Sequence, residues 1–475
     1  MKNFCLISLL LLTQSIFGQA SQTANDTLSA RVLPYNDYLQ IVMMNHPVAI
    51  SAGLVVERAD MQLRSARGGF DPLIYGDFGA KQFDDKFYYQ YRQAGVEIPT
   101  WMGVKFHGGF ESTDGQFLNP EANMPAGGLL HAGLSVDLGA GLLMDNRRAA
   151  FRQAQIAQEQ SDAQRDDLLN QLYAEATRAY FNWWLTDQKL KVAEEAVKLA
   201  NDRYEFVRQS FKWGEFPAID TVEAYTQVLN RYFALREAQT QWARAVQIAN
   251  IYLWTEDGNM AFLSPEVRPD WSQNMMPEWT PDEFQVQLEH PRLRMIRAQR
   301  DHINITRRLA AEYLRPTIQL KYNFLSQNVL ENPQTDFFQD RLTFRENYTV
   351  GAALRFPLFV RDARGRVGMA RVDIERVDLD FLETRAELEA RVNAGLVELN
   401  NLADQVGFFV QNVSYLQALL EGEQELFNMG ESSLFLVNAR ETSLITGQNV
   451  LLEVKAQQMT RYAEIRQLSG RGFSQ

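Results

Sequence analysis

Metal or acid–base chemistry near neutral pH would look first to histidine, and this chain has five: His46, His107, His131, His290 and His302. None has another histidine three or four residues away, the spacing by which one helix face converges ligands, so no metal site is expected. No GxSxG, HExxH or GxxxxGKS/T pattern occurs. A nucleophile elbow, a zinc-binding helix and a phosphate cradle are therefore all missing from the sequence. The chain reads as a non-enzyme that needs no cofactor, and any energy its function requires would come from another protein. The pair Trp183 and Trp184 could suggest a ligand box, but an aromatic band at a layer of helix packing is the better reading. His46 and His290 stand in matching contexts, NHPVAI and EHPRLRMI, and read as turn residues at helix starts.

The elements that would have to position any site are unusual. Of 475 residues, 46% are hydrophobic, and the mean hydropathy is −0.30, which fits neither a disordered chain nor a polytopic helical membrane protein. The opening MKNFCLISLLLLTQSIFGQA has a Lys, an apolar run and small residues at Gly18 and Ala20, the pattern of a secretory signal over 1–20. The one cysteine, Cys5, falls inside it, so thiol and disulfide chemistry are not expected of the mature protein. A net charge of −12 argues against nucleic acid as a partner. No later stretch of about eighteen apolar residues follows. An exported chain of this kind is free in the periplasm, secreted, or set in the outer membrane as a β-barrel.

Between Gly141 and Gly214 there is neither glycine nor proline; then FKWGEFPAID arrives and helical sequence resumes. The chain also repeats itself. Pro47 matches Pro291, Pro72 in GGFDPLIYGDF matches Pro316 in YLRPTIQLKYNF at the same offset, and FKWGE (211–215) matches FNMGE (427–431) at a smaller one. The expected organisation is a first repeat over 33–253, a linker over 254–280 and a second repeat over 281–470. Each repeat would hold a short helix, a β-hairpin and a long helical hairpin. The smaller second offset leaves surplus residues in the first copy within 81–131, read as extra strands or a long surface loop.

Four segments alternate apolar and polar residues with a period of two: LIYGDFGAK, HAGLSVDLG, IQLKYNF and YTVGAALRF. Each is long enough to cross a bilayer when tilted, although a soluble sheet with one face on a core would alternate in the same way. Four strands are too few to close a barrel, which needs about eight, so several chains would have to share one. The helical segments carry apolar seams spaced by three and four. One seam runs from Leu190 through Val197, Tyr204 and Val207 to Phe211, the other from Leu388 through Leu399, Val406 and Leu420 to Phe427. The first long helix would extend about 100 Å and pack against a shorter return helix over 218–253, and the second copy would repeat this with 434–468.

A signal peptide, a doubled unit of short helix, strands and long helical hairpin, and a cysteine-free mature chain together resemble the TolC-type outer membrane efflux proteins. NHP at 45–47, the proline before the first strand of each copy, FPLF (356–359) leading through RDARGRV into helix, and the two Gly-Glu tips carry the likeness. The resemblance implies a mixed α and β membrane protein acting as a homotrimer. Each chain would give four strands to a twelve-stranded barrel in outer-membrane lipid and long coiled-coil helices to a periplasmic α-barrel. It further implies an exit duct for efflux or type I secretion, opened by a periplasmic adaptor and driven indirectly by an inner-membrane pump. The alternative in another class is a coiled-coil envelope protein that braces the periplasm and transports nothing.

The tips are the expected docking points: Gly214, Glu215, Phe216, Pro217 and Ile219 in the first copy, and Gly430, Glu431, Ser432, Ser433 and Leu434 in the second. Gly214 can take the positive φ that ends a helix, and Ser432 or Ser433 can cap the returning one. Phe216, Ile219, Leu434 and Phe435 are expected to show apolar side chains at the end of the molecule. The family's acidic tunnel gate is not repeated in the second tip, where Leu436 and Asn438 stand at about those positions. Asp220 and Glu223 are the candidates from the first.

Overall fold

The computed structural model describes residues 27–28, 32–119, 123–125, 127–272, 276–327 and 347–472. The signal region and Cys5 lie outside them. In chain order the elements are β1 (Thr27–Leu28), β2 (Val32–Pro34), α1 (Tyr35–Asn45), α2 (Pro47–Arg67), β3 (Leu73–Phe83), β4 (Lys86–Pro99), β5 (Val104–Asp114), β6 (Leu129–Gly139), α3 (Asn146–Trp213) and α4 (Ala218–Asn250). The second half follows with β7 (Phe262–Leu263), β8 (Arg268–Asp270), α5 (Pro291–Glu312), β9 (Thr317–Gln327), β10 (Tyr348–Arg355), α6 (Arg361–Asn428) and α7 (Leu434–Leu468). The halves repeat one order: α2, strands, α3 and α4, then α5, strands, α6 and α7.

Beside two short parallel pairs, β1 with β7 and β2 with β8, six strands form one antiparallel sheet in the order β10-β9-β6-β5-β4-β3. This corrects the expectation of four strands per chain. The surplus residues of the first copy fold as β4 and β5, inserted between β3 and β6, followed by a loop in which 120–122 and 126 lie outside the described residues. Their alternation was hidden because KFYYQYRQAGVEIP puts tyrosine and glutamine on both faces. Among the described residues no single helix is long and apolar enough to cross a membrane.

Both α3 and α6 run 68 residues, about 100 Å at 1.5 Å per residue. Asp145 starts α3 by accepting a hydrogen bond from the Arg148 N–H at 2.8 Å, an N-cap that supplies one of the unsatisfied first-turn donors with a partner. The two tips close alike. Gly214 and Gly430 have φ of 80° and 77°, and the amides of Glu215 and Glu431 reach back to the carbonyls of Ser210 and Leu426 at 3.0 and 2.9 Å. The helices then return as α4 and α7, packed antiparallel on α3 and α6. Their seam is the apolar one: Leu190, Val197, Ala200 and Val207 are buried on α3, and Leu388, Leu399, Leu402, Val406 and Leu420 on α6.

A core belt surrounds the middle of α3. Tyr38, Tyr180, Phe181, Trp183, Trp184 and Trp271 pack together there, drawing α1 and the inter-repeat segment onto the long helix. The Trp184 Nε1–H donates to the Trp271 carbonyl at 3.2 Å. The tryptophan pair is therefore a packing layer.

The two His-Pro sites have one structural job. His46 accepts the Val48 N–H at 3.2 Å and His290 the Arg292 N–H at 3.1 Å, each through Nδ1, with the proline in the first turn of α2 or α5. Burial holds both imidazoles below the ordinary histidine value of 6.5. Nδ1 must be unprotonated to accept, so the folded chain refuses a proton that the unfolded chain takes. Stability is then full above the ordinary histidine value and falls as pH drops through it toward the lower folded one. Replacing either histidine with Ala should cost about 1 kcal/mol. The double variant His46→Asn, His290→Asn, which caps without titrating, should flatten the acid-side fall of the helical melting midpoint. An unchanged slope would assign that fall to other groups.

Candidate channel wall and aperture

The sheet has two chemically distinct faces. One rung crosses all six strands through paired residues Ile74, Val96, Gly108, Ala132, Phe324 and Tyr348. A second apolar rung on that face runs through Ile98, Phe106, Leu134, Tyr322 and Val350. The rung Leu73, Glu97, His107, Gly133, Asn323 and Thr349 lies between these two and faces the other way. On this polar side His131 Nδ1 lies 3.1 Å from Glu111 Oε1, and His107 is bonded to Asn323. Among the described residues neither pair gathers a third metal-ligating side chain. An apolar outer face and a polar inner one are what a water-filled pore through lipid requires of its wall.

At the far end of the helices the two hairpins of the chain are fastened to each other. Glu441 on α7 is 2% exposed. It is clamped by Arg203 of α3 and by Arg231 of α4, whose Nε lies 3.5 Å from Oε1. Arg203 also donates to Asn438 Oδ1 at 3.0 Å, Asn438 Nδ2 to Glu223 Oε1 at 3.3 Å, and Arg231 to Thr442 Oγ1 at 3.0 Å. Below this network Val207, Ala224, Leu420, Phe427, Leu434, Val437 and Leu444 form an apolar cluster drawn from both hairpins.

The tip residues singled out from the sequence fall into different places. Glu215, Pro217 and Glu431 are exposed beside the turning glycines. Ser433 caps α7 by accepting the Leu436 N–H at 3.4 Å, while Ser432 bonds Glu423. Ile219 and Phe435 project outward, 68% and 67% exposed, joined by Trp213 at 74%. Leu434, only 4% exposed, belongs to the cluster, and Phe216 stacks on Phe427 with centroids 5.6 Å apart. Those two side chains join one hairpin to the other and are not presented at the end of the molecule, because each is within reach of an apolar partner on the opposite hairpin. Asp220 sits in the first turn of α4, where a carboxylate suits the helix dipole. Of the two gate candidates, Glu223 alone enters the network. Arg203, Arg231 and Glu441 were missed, since each is one charge among many on a solvated helix until the fold brings them together.

A sheet polar on one face and apolar on the other, carried on paired helices of about 100 Å whose tips are tied together, is what a membrane channel with a long helical extension would be built from. The model of the outer membrane efflux protein family matches residues 132–248 and 285–471. The chain belongs to that family, one of channel proteins, and is an outer membrane efflux channel. Solved structures with this fold include the CmeC outer membrane channel of Campylobacter jejuni (14% identity, TM-score 0.62, covering 93% of this chain and 86% of that one). VceC of Vibrio cholerae is 13% identical with a TM-score of 0.62, over 92% of this chain and 96% of its own. The open-state MtrE outer membrane channel of Neisseria gonorrhoeae is 14% identical with a TM-score of 0.62, over 92% and 89%. Comparison with curated protein sequences finds no match.

Proposed function

We propose that three copies of this chain form one continuous exit duct, a shared β-barrel in the outer membrane continued by an α-barrel in the periplasm. The repeats 33–253 and 281–470, joined by 254–280, supply the staves. The carrying observation is a set of surfaces that the single chain leaves without partners. The sheet ends in two open edges, β3 and β10, which lipid does not tolerate. Along the helices, Val222, Tyr225, Leu229 and Phe233 on α4 form an exposed apolar stripe at helical spacing, and Phe408, Tyr415, Leu419 and Leu426 form another on α6. A neighbouring copy covers both kinds of surface at once.

In this reading the Glu441 network holds the periplasmic end closed. A periplasmic adaptor docks on the outward tip residues and separates the hairpins, and an inner-membrane pump supplies the energy. Efflux of small molecules and type I secretion of proteins both fit such a duct. The test is purified protein in a planar bilayer, where steady conductance steps are expected from a species with the mass of three chains. A folded trimer that never conducts would leave a bracing role in the envelope as the better account.

A further inference from the structure

We infer that the barrel of this channel is closed by eighteen strands, six from each of three copies, with β3 of one copy hydrogen-bonded antiparallel to β10 of the next. The inference rests on the shared-barrel trimer proposed above and adds what its wall is made of.

The inserted hairpin is a full part of the wall. β4 is paired with β3 from Leu73↔Glu97 to Phe83↔Lys86, and β5 with β4 from Gln90↔Asp114 to Pro99↔Lys105. Both apolar rungs pass through the insertion without changing face, by way of Val96 and Gly108 in one and Ile98 and Phe106 in the other. A hairpin folded over the mouth or into the lumen would have no need of that match.

Both ends of the insertion are also fixed. Away from the helices, β3 turns into β4 through Asp84 and Asp85, with φ of 53° and 54°, the two positive values of a tight type I′ hairpin. Toward the helices, the β4–β5 turn sets Trp101 against Phe70 and Phe151, with centroids 4.9 and 5.0 Å away. Arg147 of α3 reaches Glu97 at 3.8 Å beside it. The turn is thus seated on the start of the long helix, at the level where a membrane wall would meet its stalk.

Direction settles which edges meet. β3 leaves the helical end after α2, and β10 returns to it before α6. Copies related by rotation about the channel axis therefore bring β3 and β10 together antiparallel, so the up-and-down alternation of the sheet continues across the boundary. Six strands cannot close alone, because the smallest packed barrels need about eight. Barrel diameter grows roughly in proportion to strand number, and barrels of about eighteen strands enclose an aqueous channel. The mouth is then about half again as wide as one built from four strands per chain. Selection by size falls to the helical aperture.

Cysteine pairs test this, in a Cys5→Ser background that removes the sole native cysteine. Asp77→Cys with Gln93→Cys, directly paired across β3 and β4, should close a disulfide within one chain. Asp77→Cys combined in turn with Thr349→Cys, Gly351→Cys or Ala353→Cys on the polar side of β10 should link chains, giving a ladder that ends at three. Asp77→Cys with Leu129→Cys, His131→Cys or Gly133→Cys should not link, since β4 and β5 keep β3 and β6 about 14 Å apart, three strand spacings. A β3–β6 link within one chain, with the β3–β10 ladder intact, would put the hairpin outside the wall. It would overturn the eighteen-strand barrel while leaving the trimeric duct standing. No β3–β10 link at any of the three positions, with the detergent-solubilised protein at the mass of one chain, would overturn the shared barrel itself.

Discussion

Glu441→Ala should turn a mostly closed channel into a mostly open one. Glu441 is the one carboxylate between Arg203 and Arg231, and it is almost fully withdrawn from water. Removing one member of a buried ionic cluster costs about 3–5 kcal/mol, chiefly because the remaining charges stay desolvated without compensation. The cost falls on the arrangement in which the hairpins touch. With the hairpins apart, both guanidinium groups regain water and the penalty disappears. Even about 2 kcal/mol felt by the closed state alone shifts the open-to-closed ratio roughly thirtyfold. Single-channel recording should show the ratio of open to closed time rising by that order, and cells carrying the variant should admit bulky antibiotics that the outer membrane normally excludes. Glu441→Gln keeps the shape and some hydrogen bonding, so it should fall between the two. If Glu441→Ala assembles normally and conducts like the parent, the network is only packing and the aperture is held shut by something else.

The legible part of this molecule is the part encoded at short range. Gly214 and Gly430 mark tips because a positive φ is cheap for glycine and dear for everything else. The return helix α7 spans Leu434–Leu468, the span that its apolar pattern and the serine pair before it indicate. The seam from Leu388 to Phe427 keeps one face for eleven turns, since a period of three and four residues on a helix leaves no other solution. The seam on α3 overreaches at Phe211, which the structure leaves outward. The strands were half legible. β6, β9 and β10 alternate clearly, whereas β4 carries Arg92 and Gln90 on the face that is apolar lower down, and a period of two fades when one strand passes from lipid level to its polar margin. The aperture was scarcely legible. Arg203 and Glu441 meet across two helical hairpins that are far apart in sequence, and nothing in either neighbourhood marks a charge that will be buried. The inward turn of Leu434 and Phe216 has the same origin, because their partners come from the other repeat.

That inward turn decides how docking at the tips can be tested. Leu434→Asp or Phe216→Asp would put a carboxylate into the apolar cluster that joins the hairpins, or at its edge. Burying a charge there without a partner costs several kcal/mol, so lost export in those variants would report a loosened tip as readily as a lost partner. Ile219 and Phe435 are free of that ambiguity. Both project outward, and neither belongs to the cluster. Changing either to Asp should leave folding stability within about 0.5 kcal/mol of the parent, as surface substitutions do. If an adaptor seats its own apolar residues over these side chains, each carboxylate must be desolvated on docking, at about 2 kcal/mol or more. Affinity should then fall at least roughly thirtyfold. Ile219→Asp with Phe435→Asp should therefore abolish export from cells while trimer level, membrane insertion and the conductance of the Glu441→Ala background stay as they were. Full export by the double variant would move the docking surface off the tips, to the sides of the hairpins or the grooves between neighbouring copies.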